Sequence, residues 1–407
     1  MLLSLSWKNI WRNKTRSIII IIAIVFGIIG GVGFTAFMNG LINERLEMAI
    51  GNEVSNLQIH NSHFQSNKEI NDTIVEVSKL KSILDTCRKI KAYSLRLKLV
   101  SMINSANSGD GVMLNGIDPV REKAVTGIYK FIKEGDYFPD NRKNGIVIGE
   151  KLANKLKVKL RSKVVVMVQS TSGNIIRVAF KIVGIYQTSN STFDGHNAYI
   201  RTSDIAPIIG FSPQTAHEIA ISVYDDQQTE NFESSITNKC NNQKTSIESW
   251  KTLMPELSLL TGFMNYMLYI FMSIIFLALS FGIINTMLMA VLERVREIGM
   301  LMAIGMNKTK IFLMIMLETI MLMLTGSFAG LVLSYMIVNI FGKYGIDLSK
   351  FASGFSGYGF SSMVYPFLAI IMYIKIVIMV VIAGIISSII PARKALKLNP
   401  SEAIRKL

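Results

Sequence analysis

Four long apolar blocks constrain this chain more than any other feature of its sequence. They lie at residues 17–38, 263–292, 311–341 and 363–390. The first two carry no charge, the third is interrupted only by Glu318, and the fourth only by Lys375. Each block can form a helix that crosses the hydrocarbon core, which takes about 20 apolar residues. The sequence therefore predicts an α-helical membrane protein with four transmembrane helices.

Most of the net charge of +15 lies beside these blocks. Residues 1–16, the link between the second and third blocks, and the tail after Pro391 contribute +4, +2 and +4. All three segments share one side of the membrane if every block crosses it. Lys and Arg beside spans mark the cytoplasmic side. We therefore expect cytoplasmic termini, an external domain and no nucleic-acid partner.

The first block is too long for a cleaved signal peptide. Its 22 uncharged residues exceed the roughly 7–15 of a signal core, and no Ala-x-Ala site follows. We interpret it as a retained membrane anchor. The predicted organisation is an interfacial N-terminal helix at 1–16, spans at 17–40, 262–292, 311–341 and 363–390, an extracytoplasmic domain at 41–261, a cytoplasmic coupling helix at 293–310, an external loop at 342–362 and a cytoplasmic tail at 391–407.

The segment between the first two spans alternates strand and helix patterns. Strands are predicted at 54–60, 95–102, 111–116, 145–148, 164–169, 175–186 and 219–224. Helices are predicted at 77–91, 119–128, 150–156 and 229–239. The pattern indicates an α+β domain inserted between the first and second transmembrane helices, with two subdomains. Cys87 and Cys240 both lie in it, and the sequence does not decide whether they form a disulfide.

The sequence contains no pattern typical of an enzyme active site. It has no Gly-rich Walker loop, no HExxH and no Cys/His cluster with metal-ligand spacing. We therefore expect no catalytic residue, no metal and no cofactor bound by this chain. It is predicted to be a non-catalytic membrane subunit and not an enzyme by itself.

The link between the second and third blocks is the most informative stretch. Its charges follow the end of the second block directly, and two glycines allow close backbone approach and a tight turn. The residues concerned are Glu293, Arg294, Arg296, Glu297, Gly299 and Gly305. This pattern favours a compact helical elbow that docks onto a cytosolic protein. The alternative is an ordinary cytoplasmic loop.

Several segments resemble one family of membrane proteins. They are NTMLMAVLERVREIGMLMAIG at 285–305, PARKALKLNPSEAIR at 391–405, and NGIDPVREKAVTGI, NGIVIGEKLANKLKV, FKIVGIYQT and FDGHNAYI in the insert. Together they resemble the type VII ABC transporter permeases of the MacB/FtsX/LolC–LolE superfamily. Met302 departs from the family, where many members carry Arg.

This resemblance implies an architecture and a set of partners. The insert would be a MacB-like periplasmic core domain, and residues 293–305 would be the ATPase-coupling region. Two cytosolic ATPase subunits would bind ATP and Mg, and a second permease copy or paralogue would complete the complex. The implied location is the bacterial inner membrane, with the large domain in the periplasm. The sequence does not distinguish a homodimer from a heterodimer.

Within the superfamily, FMNGLINERLEMAIGNEVSNLQIH at 37–60 resembles the LolC/LolE lipoprotein-releasing branch. That branch implies extraction of a lipoprotein from the membrane toward a periplasmic carrier. Residues that would line its lipid cavity are Phe34, Phe37, Met38, Phe263 and Met267. Ordinary contacts with lipid or neighbouring helices are the alternative for each of them.

Other functions remain open. One alternative is a mechanotransmission permease for efflux, as in MacB, or for regulation of a cell-wall hydrolase, as in FtsX. FtsX proteins have smaller inserts, and MacB proteins carry a fused ATPase, whereas this sequence begins 16 residues before its first span. A receptor with an external sensor domain is a third possibility.

Overall fold

The computed structural model describes residues 2–139, 143–225, 229–240, 244–351, 357 and 359–396. These residues form two compact units. The helical unit comprises the chain up to Ile42, Thr261–Ile346 and the chain from Val364 onward. The second unit comprises Asn43–Leu260 and Asp347–Met363, and it is called the extracytoplasmic unit after the location that the sequence predicts for it. The last part of the family-like ending, from residue 397, lies outside the described residues.

The helices and strands are numbered along the chain. The helices are α1 (Leu2–Arg12), α2 (Lys14–Met48), α3 (Phe64–Asn67), α4 (Val77–Asp85), α5 (Pro119–Val125), α6 (Glu150–Leu156), α7 (Ser191–His196), α8 (Thr202–Ile209), α9 (Thr229–Cys240), α10 (Trp250–Leu253), α11 (Pro255–Glu293), α12 (Val295–Ala303), α13 (Lys308–Tyr344) and α14 (Ile370–Leu396). The strands are β1 (Leu57–Asn61), β2 (Ile90–Asn104), β3 (Gly109–Ile117), β4 (Ile132–Gly135), β5 (Gly145–Gly149), β6 (Lys163–Gln169), β7 (Ile175–Tyr186), β8 (Asn197–Arg201), β9 (Glu218–Val223), β10 (Thr245–Ser249), β11 (Ile346–Asp347) and β12 (Met363–Val364).

Four helices of the described chain are long and apolar enough to cross a membrane, as predicted. They are α2, α11, α13 and α14. α13 packs closely against α2 through Gly326 and Gly330, which form a small-xxx-small pattern. A methyl group added at Gly326 would lie 3.0 Å from Ile24, and one at Gly330 would lie 3.1 Å from Ile28. The two glycines therefore set the distance between these helices.

We expect Gly326→Leu to separate α2 from α13 and to destabilise the helical unit by about 1–3 kcal/mol, the usual cost of overpacking. Thermal unfolding of the detergent-solubilised protein measures this loss. Gly33→Leu is the matched control, because no atom lies within 4 Å of a methyl group added there. Equal melting temperatures for the two variants would contradict the close packing.

The extracytoplasmic unit is built on a large mixed sheet. Its strand order is β10-β1-β9-β2-β3-β8-β5-β7-β4, and β6 pairs with both β2 and β7. The pairing β2-β3-β8-β5-β7-β6 therefore closes into a circuit of six strands. α6 and α8 supply Leu152, Leu156 and Ile205 to the apolar core of this larger subdomain.

The long strand β2 joins the two predicted subdomains. Its first half, up to Arg96, pairs with β9, and its second half, from Leu97, pairs with β3. The smaller subdomain has its own apolar core, which includes Leu57, Leu80 and Ile219. Half-buried Cys87 packs against this core, whereas the side chain of Cys240 lies outside the described residues.

Several element boundaries differ from the sequence predictions. Ala49–Val54 forms a π-helix, so the first strand begins only at Leu57. The helix predicted at 77–91 ends at Asp85, because Ile90 already pairs with β9. The strand β8 with its flanking helices α7 and α8 was not predicted from periodicity, since these segments are short.

The fourth span also differs from its predicted bounds of 363–390. Met363–Val364 pairs with Ile346–Asp347 as a strand, and α14 begins only at Ile370. Hydropathy does not distinguish an extended apolar segment from a helical one. α14 then continues through Pro391 to Leu396, where Ala392 and Ala395 are fully buried against the other helices.

Of the external loop predicted at 342–362, residues 342–344 are the end of α13, and the chain from Asp347 onward belongs to the extracytoplasmic unit. Arg45 forms a buried ion pair with Glu53 at 2.9 Å. Asn190 donates to the same carboxylate at 2.9 Å. Gly359, with a φ of +79°, packs its backbone against the Arg45 guanidinium. The loop therefore contacts the chain that directly follows the first apolar block.

Candidate functional site

The predicted elbow forms a short helix between two tight turns. α11 ends at Glu293, Arg294 caps the start of α12, and α12 ends at Ala303. Gly305 has a φ of +95°, a backbone conformation that favours glycine. Asn307 then accepts a hydrogen bond from the Thr309 N–H and begins α13. The elbow is thus a rigid element and not an irregular loop.

Arg294 connects the elbow to the inside of the helical unit. Its guanidinium lies 3.2 Å from both carboxylate oxygens of Glu318, on α13. It also donates to Glu297, one turn along α12, at 3.1 Å. The Arg294 side chain is only 16% exposed and that of Glu318 only 9%. The charge of Glu318 inside an apolar block is therefore compensated by the elbow.

The N-terminal helix α1 and the start of α2 complete this charge network. Asn9 donates to Glu318 at 2.7 Å, Arg12 pairs with Glu297, and Arg16 pairs with Glu293 at 3.1 Å. Ser6, fully buried, donates to a backbone carbonyl of α13. The hydrogen bond from Arg12 holds the pKa of Glu297 below its ordinary value, with a further contribution from Arg294. Glu297 is therefore ionised at neutral pH.

The elbow has an exposed face that consists mainly of apolar side chains. Arg296, Met300 and Ile304 are spaced four residues apart and are all exposed, Met300 by 55% and Ile304 by 78%. Gly299 lies on the buried side. Met302, where many family members carry Arg, is half-buried against the core of the helical unit. Exposed large apolar side chains that lie side by side are typical of a contact with a protein or with membrane lipid.

The structure brings the predicted elbow residues together but gives them different surroundings. Glu293, Arg294 and Glu297 pair with charged groups of the helical unit. Arg296 lies on the exposed face. Residues that sequence reasoning missed are Asn9, Arg12, Arg16, Met300 and Ile304. In the sequence, Arg12 and Arg16 contribute only to the positive charge beside the first span. Met300 and Ile304 could have been found from their i, i+4, i+8 spacing with Arg296.

The five predicted lipid-cavity residues lie on α2 and α11, and their assignment to a lipid cavity stays a prediction. The rings of Phe34 and Phe271 are in contact at a tilt of 34°, with centroids 4.2 Å apart, and Phe263 is 56% exposed. A cavity of about 500 Å³ does lie between these two helices. Its walls include Ile20, Phe26 and Leu279, so it lies farther from the C-terminal end of α2 than Phe34, Phe37 and Met38 do.

Comparison with known proteins matches both halves of the chain. The FtsX-like permease C-terminal family matches residues 269–400, and the MacB-like periplasmic core domain family matches residues 17–239. An uncharacterized ABC transporter permease of Methanocaldococcus jannaschii is 24% identical over 99% of this chain and 97% of its own length.

Two further similarities involve export proteins. The pyoverdine export ATP-binding/permease protein of Pseudomonas syringae pv. syringae is 26% identical over 98% of this chain, which spans 58% of that protein's length. The periplasmic region of MacB from Actinobacillus actinomycetemcomitans has a TM-score of 0.36 and 13% identity, over 53% of this chain and 97% of that one. The predicted superfamily is confirmed, and the LolC/LolE branch stays a prediction. With both family models matched in order along its length, this chain belongs to the ABC transporter permeases of the MacB/FtsX type.

Proposed function

We propose that this chain transmits the work of a separate cytosolic ATPase to its extracytoplasmic domain. The observation that carries the proposal is the exposed face of the elbow, formed by Arg296 and Met300 on α12 and by Ile304 directly after it. This face is apolar apart from one charged side chain. The elbow receives the motion of the ATPase there. The charges behind that face make the elbow rigid, so that motion passes on to α1, α2 and α13.

The charge asymmetry of the sequence supports the orientation of the complex. The elbow and both termini are cytoplasmic, and the large domain is outside the bacterial inner membrane. Two ATPase subunits bind ATP and Mg, and a second permease, either another copy or a paralogue, completes the assembly. α2 is one continuous helix from Lys14 to Met48, and its last residues belong to the extracytoplasmic unit. It therefore provides a direct mechanical connection along the chain.

Two cargo classes follow from the family. Lipoprotein release toward a periplasmic carrier is supported by the resemblance of residues 37–60 to the LolC/LolE branch. Export driven by the external domain is supported by the pyoverdine export proteins, which match 98% of this chain. This match, which spans 58% of the pyoverdine export protein, favours export. Regulation of a cell-wall hydrolase is a further version of the same mechanism.

The elbow's role is tested with the complex purified in nanodiscs. We expect Arg296→Glu with Met300→Asp to abolish copurification of the ATPase and its stimulated ATP hydrolysis, because charge replaces the apolar contact surface. Arg296→Ala with Glu297→Ala should weaken both. Membrane insertion should persist in every variant.

Lys310→Ala, an exposed charge at the start of α13, is the matched control. Undiminished ATPase binding by the double charge variant would contradict the proposal. The same preparation identifies the cargo. ATP-dependent transfer of an acylated lipoprotein to a carrier supports release, and ATP-dependent movement of a small molecule without lipoprotein transfer supports export.

A further inference from the structure

The extracytoplasmic unit contains a basic pocket that the proposed function does not use. It has a volume of about 590 Å³, within the range of small-molecule sites. Its walls come from the end of α2, the loop after α5, the first residues of β2 and the last residues of β9. The side chains relevant here are Lys91, Lys123, Lys130, Tyr129, Tyr224 and Glu47.

The three lysines of this pocket differ from other lysines of the same unit. Lys133 pairs with Glu150 at 2.6 Å, and Lys155 pairs with Asp110 at 2.7 Å. Within the described part of the chain, no carboxylate lies within ion-pair distance of Lys91, Lys123 or Lys130. These cations repel one another, and a bound anion would relieve that repulsion.

Aromatic rings hold two of the lysines beside the pocket. The Lys123 amine lies 5.9 Å from the Tyr129 ring and 5.6 Å from the Tyr137 ring. The Lys130 amine lies 5.8 Å from the centroid of the same Tyr129 ring. Such cation–π contacts orient an ammonium group without neutralising it. Its charge and its hydrogen-bond donors therefore stay available to a ligand.

Local hydrogen bonds also hold the chain around the pocket. The Gly127 N–H donates to the Gly51 carbonyl at 2.8 Å, which ties the loop after α5 to the π-helix. Asn43 donates to the Glu47 carboxylate at 2.8 Å. Glu47 is thus already engaged on the pocket's edge, and the three lysines dominate its charge.

We propose that this pocket binds a phosphate-bearing anion. Three ammonium groups and one carboxylate leave a charge of +2, which a phosphate dianion would balance. Lysine is a common phosphate ligand because it offers a compact charge with three donors. The exposed hydroxyl-bearing rings of Tyr129 and Tyr224 add donors beside the phosphate.

The phosphate has two possible sources. Glu47, Ile50 and Gly51 follow the first apolar block by only 9 to 13 residues of sequence. A phospholipid headgroup is therefore one source, and a soluble phosphate compound is the other. The pocket's charge chemistry is the same for both, and it is independent of the elbow's role.

The test compares Lys123→Met/Lys130→Met with the full-length wild type in nanodiscs. One arm titrates inorganic phosphate into phosphatidylcholine nanodiscs, and the other measures phosphatidic acid retained from mixed nanodiscs. We expect the double variant to lose about tenfold or more in affinity in at least one arm. Phosphate binding alone identifies a soluble ligand, and lipid retention alone identifies a headgroup.

Lys163→Met/Lys181→Met is the matched control, because it removes two exposed lysines that pair across β6 and β7. Its affinity should stay within about twofold of the wild type. Thermal unfolding checks that both variants fold. Equal losses in the two double variants, or a wild type that binds in neither arm, would overturn the proposal.

Discussion

Replacing Glu318 with glutamine is expected to lower the permease-dependent stimulation of the partner ATPase by about tenfold or more. Glutamine keeps the size of the side chain and can still accept from Asn9, but it removes the charge that faces Arg294. Arg294 would then lose the partner that ties the elbow to α13. The measurement is ATP hydrolysis by the reconstituted complex compared with the isolated ATPase.

Lys375→Met is the matched control for this prediction. Lys375 is the charge that interrupts the fourth apolar block, and it is exposed on α14. Its removal should leave stimulation close to the wild-type value. Glu318→Asp, which keeps the charge on a shorter side chain, should retain an intermediate activity. Full stimulation in Glu318→Gln, or an equal loss in Lys375→Met, would show that the network does not couple the elbow.

Replacing Arg96 with methionine is expected to destabilise the extracytoplasmic unit by about 3–5 kcal/mol. Arg96 lies on β2 where the two subdomains meet. It pairs with Glu122 at 2.6 Å and with Glu218, its cross-strand neighbour, at 2.5 Å. All three side chains are less than 5% exposed. The variant leaves two buried carboxylates, of which only Glu218 keeps a cation, Lys98 at 3.4 Å.

Hydrogen exchange of the full chain in nanodiscs measures this loss in β2 and β9. Lys133→Met breaks an exposed ion pair and should cost no more than about 1 kcal/mol. Arg96→Met/Glu122→Gln/Glu218→Gln should recover part of the stability, because neutral side chains replace the unpaired charges. Equal protection in Arg96→Met and Lys133→Met would contradict a structural role for the buried cluster.

The same cluster predicts loss of stability in acid. Burial by itself raises the pKa of Glu218, but Lys98 and Arg96 outweigh it and lower that pKa to about 2 from an ordinary value of 4.5. The folded state therefore binds this proton more weakly than the unfolded state. The stabilisation is present above pH 4.5 and is lost as the pH falls from there toward 2. Arg96→Met should flatten this dependence.

The elbow shows how far sequence reasoning reached at the candidate site. Charge density and two glycines were enough to predict a helical link with Glu293, Arg294, Arg296 and Glu297 in one short segment. They did not reveal that Arg294 turns inward to Glu318, because the two residues are 24 positions apart. Nor did they identify α1 as part of the network, since Arg12 at its end and Arg16 on α2 are also explained by the bias of positive charge toward the cytoplasmic side.

In the inserted domain, periodicity located elements that are long or strongly alternating. β7 and α6 have the predicted bounds, whereas β8 and α7, each of five or six residues, were missed. Short segments contain too few residues for a period to stand out. The closed strand circuit depends on β6 pairing with both β2 and β7. These partners cannot be predicted from the local sequence pattern, because β2 is far from β6 in the chain.

By itself, the sequence determined four apolar helices and the family resemblance that comparison then confirmed. These properties follow from the local sequence. Only long uncharged segments cross a bilayer as helices, and Lys and Arg beside such segments indicate the cytoplasmic side. Only the tertiary structure decided which charges face one another, where Gly326 and Gly330 meet α2, and how the loop at 347–363 joins the extracytoplasmic unit. Those contacts join residues far apart in the chain, and their energy depends on burial that no local window records.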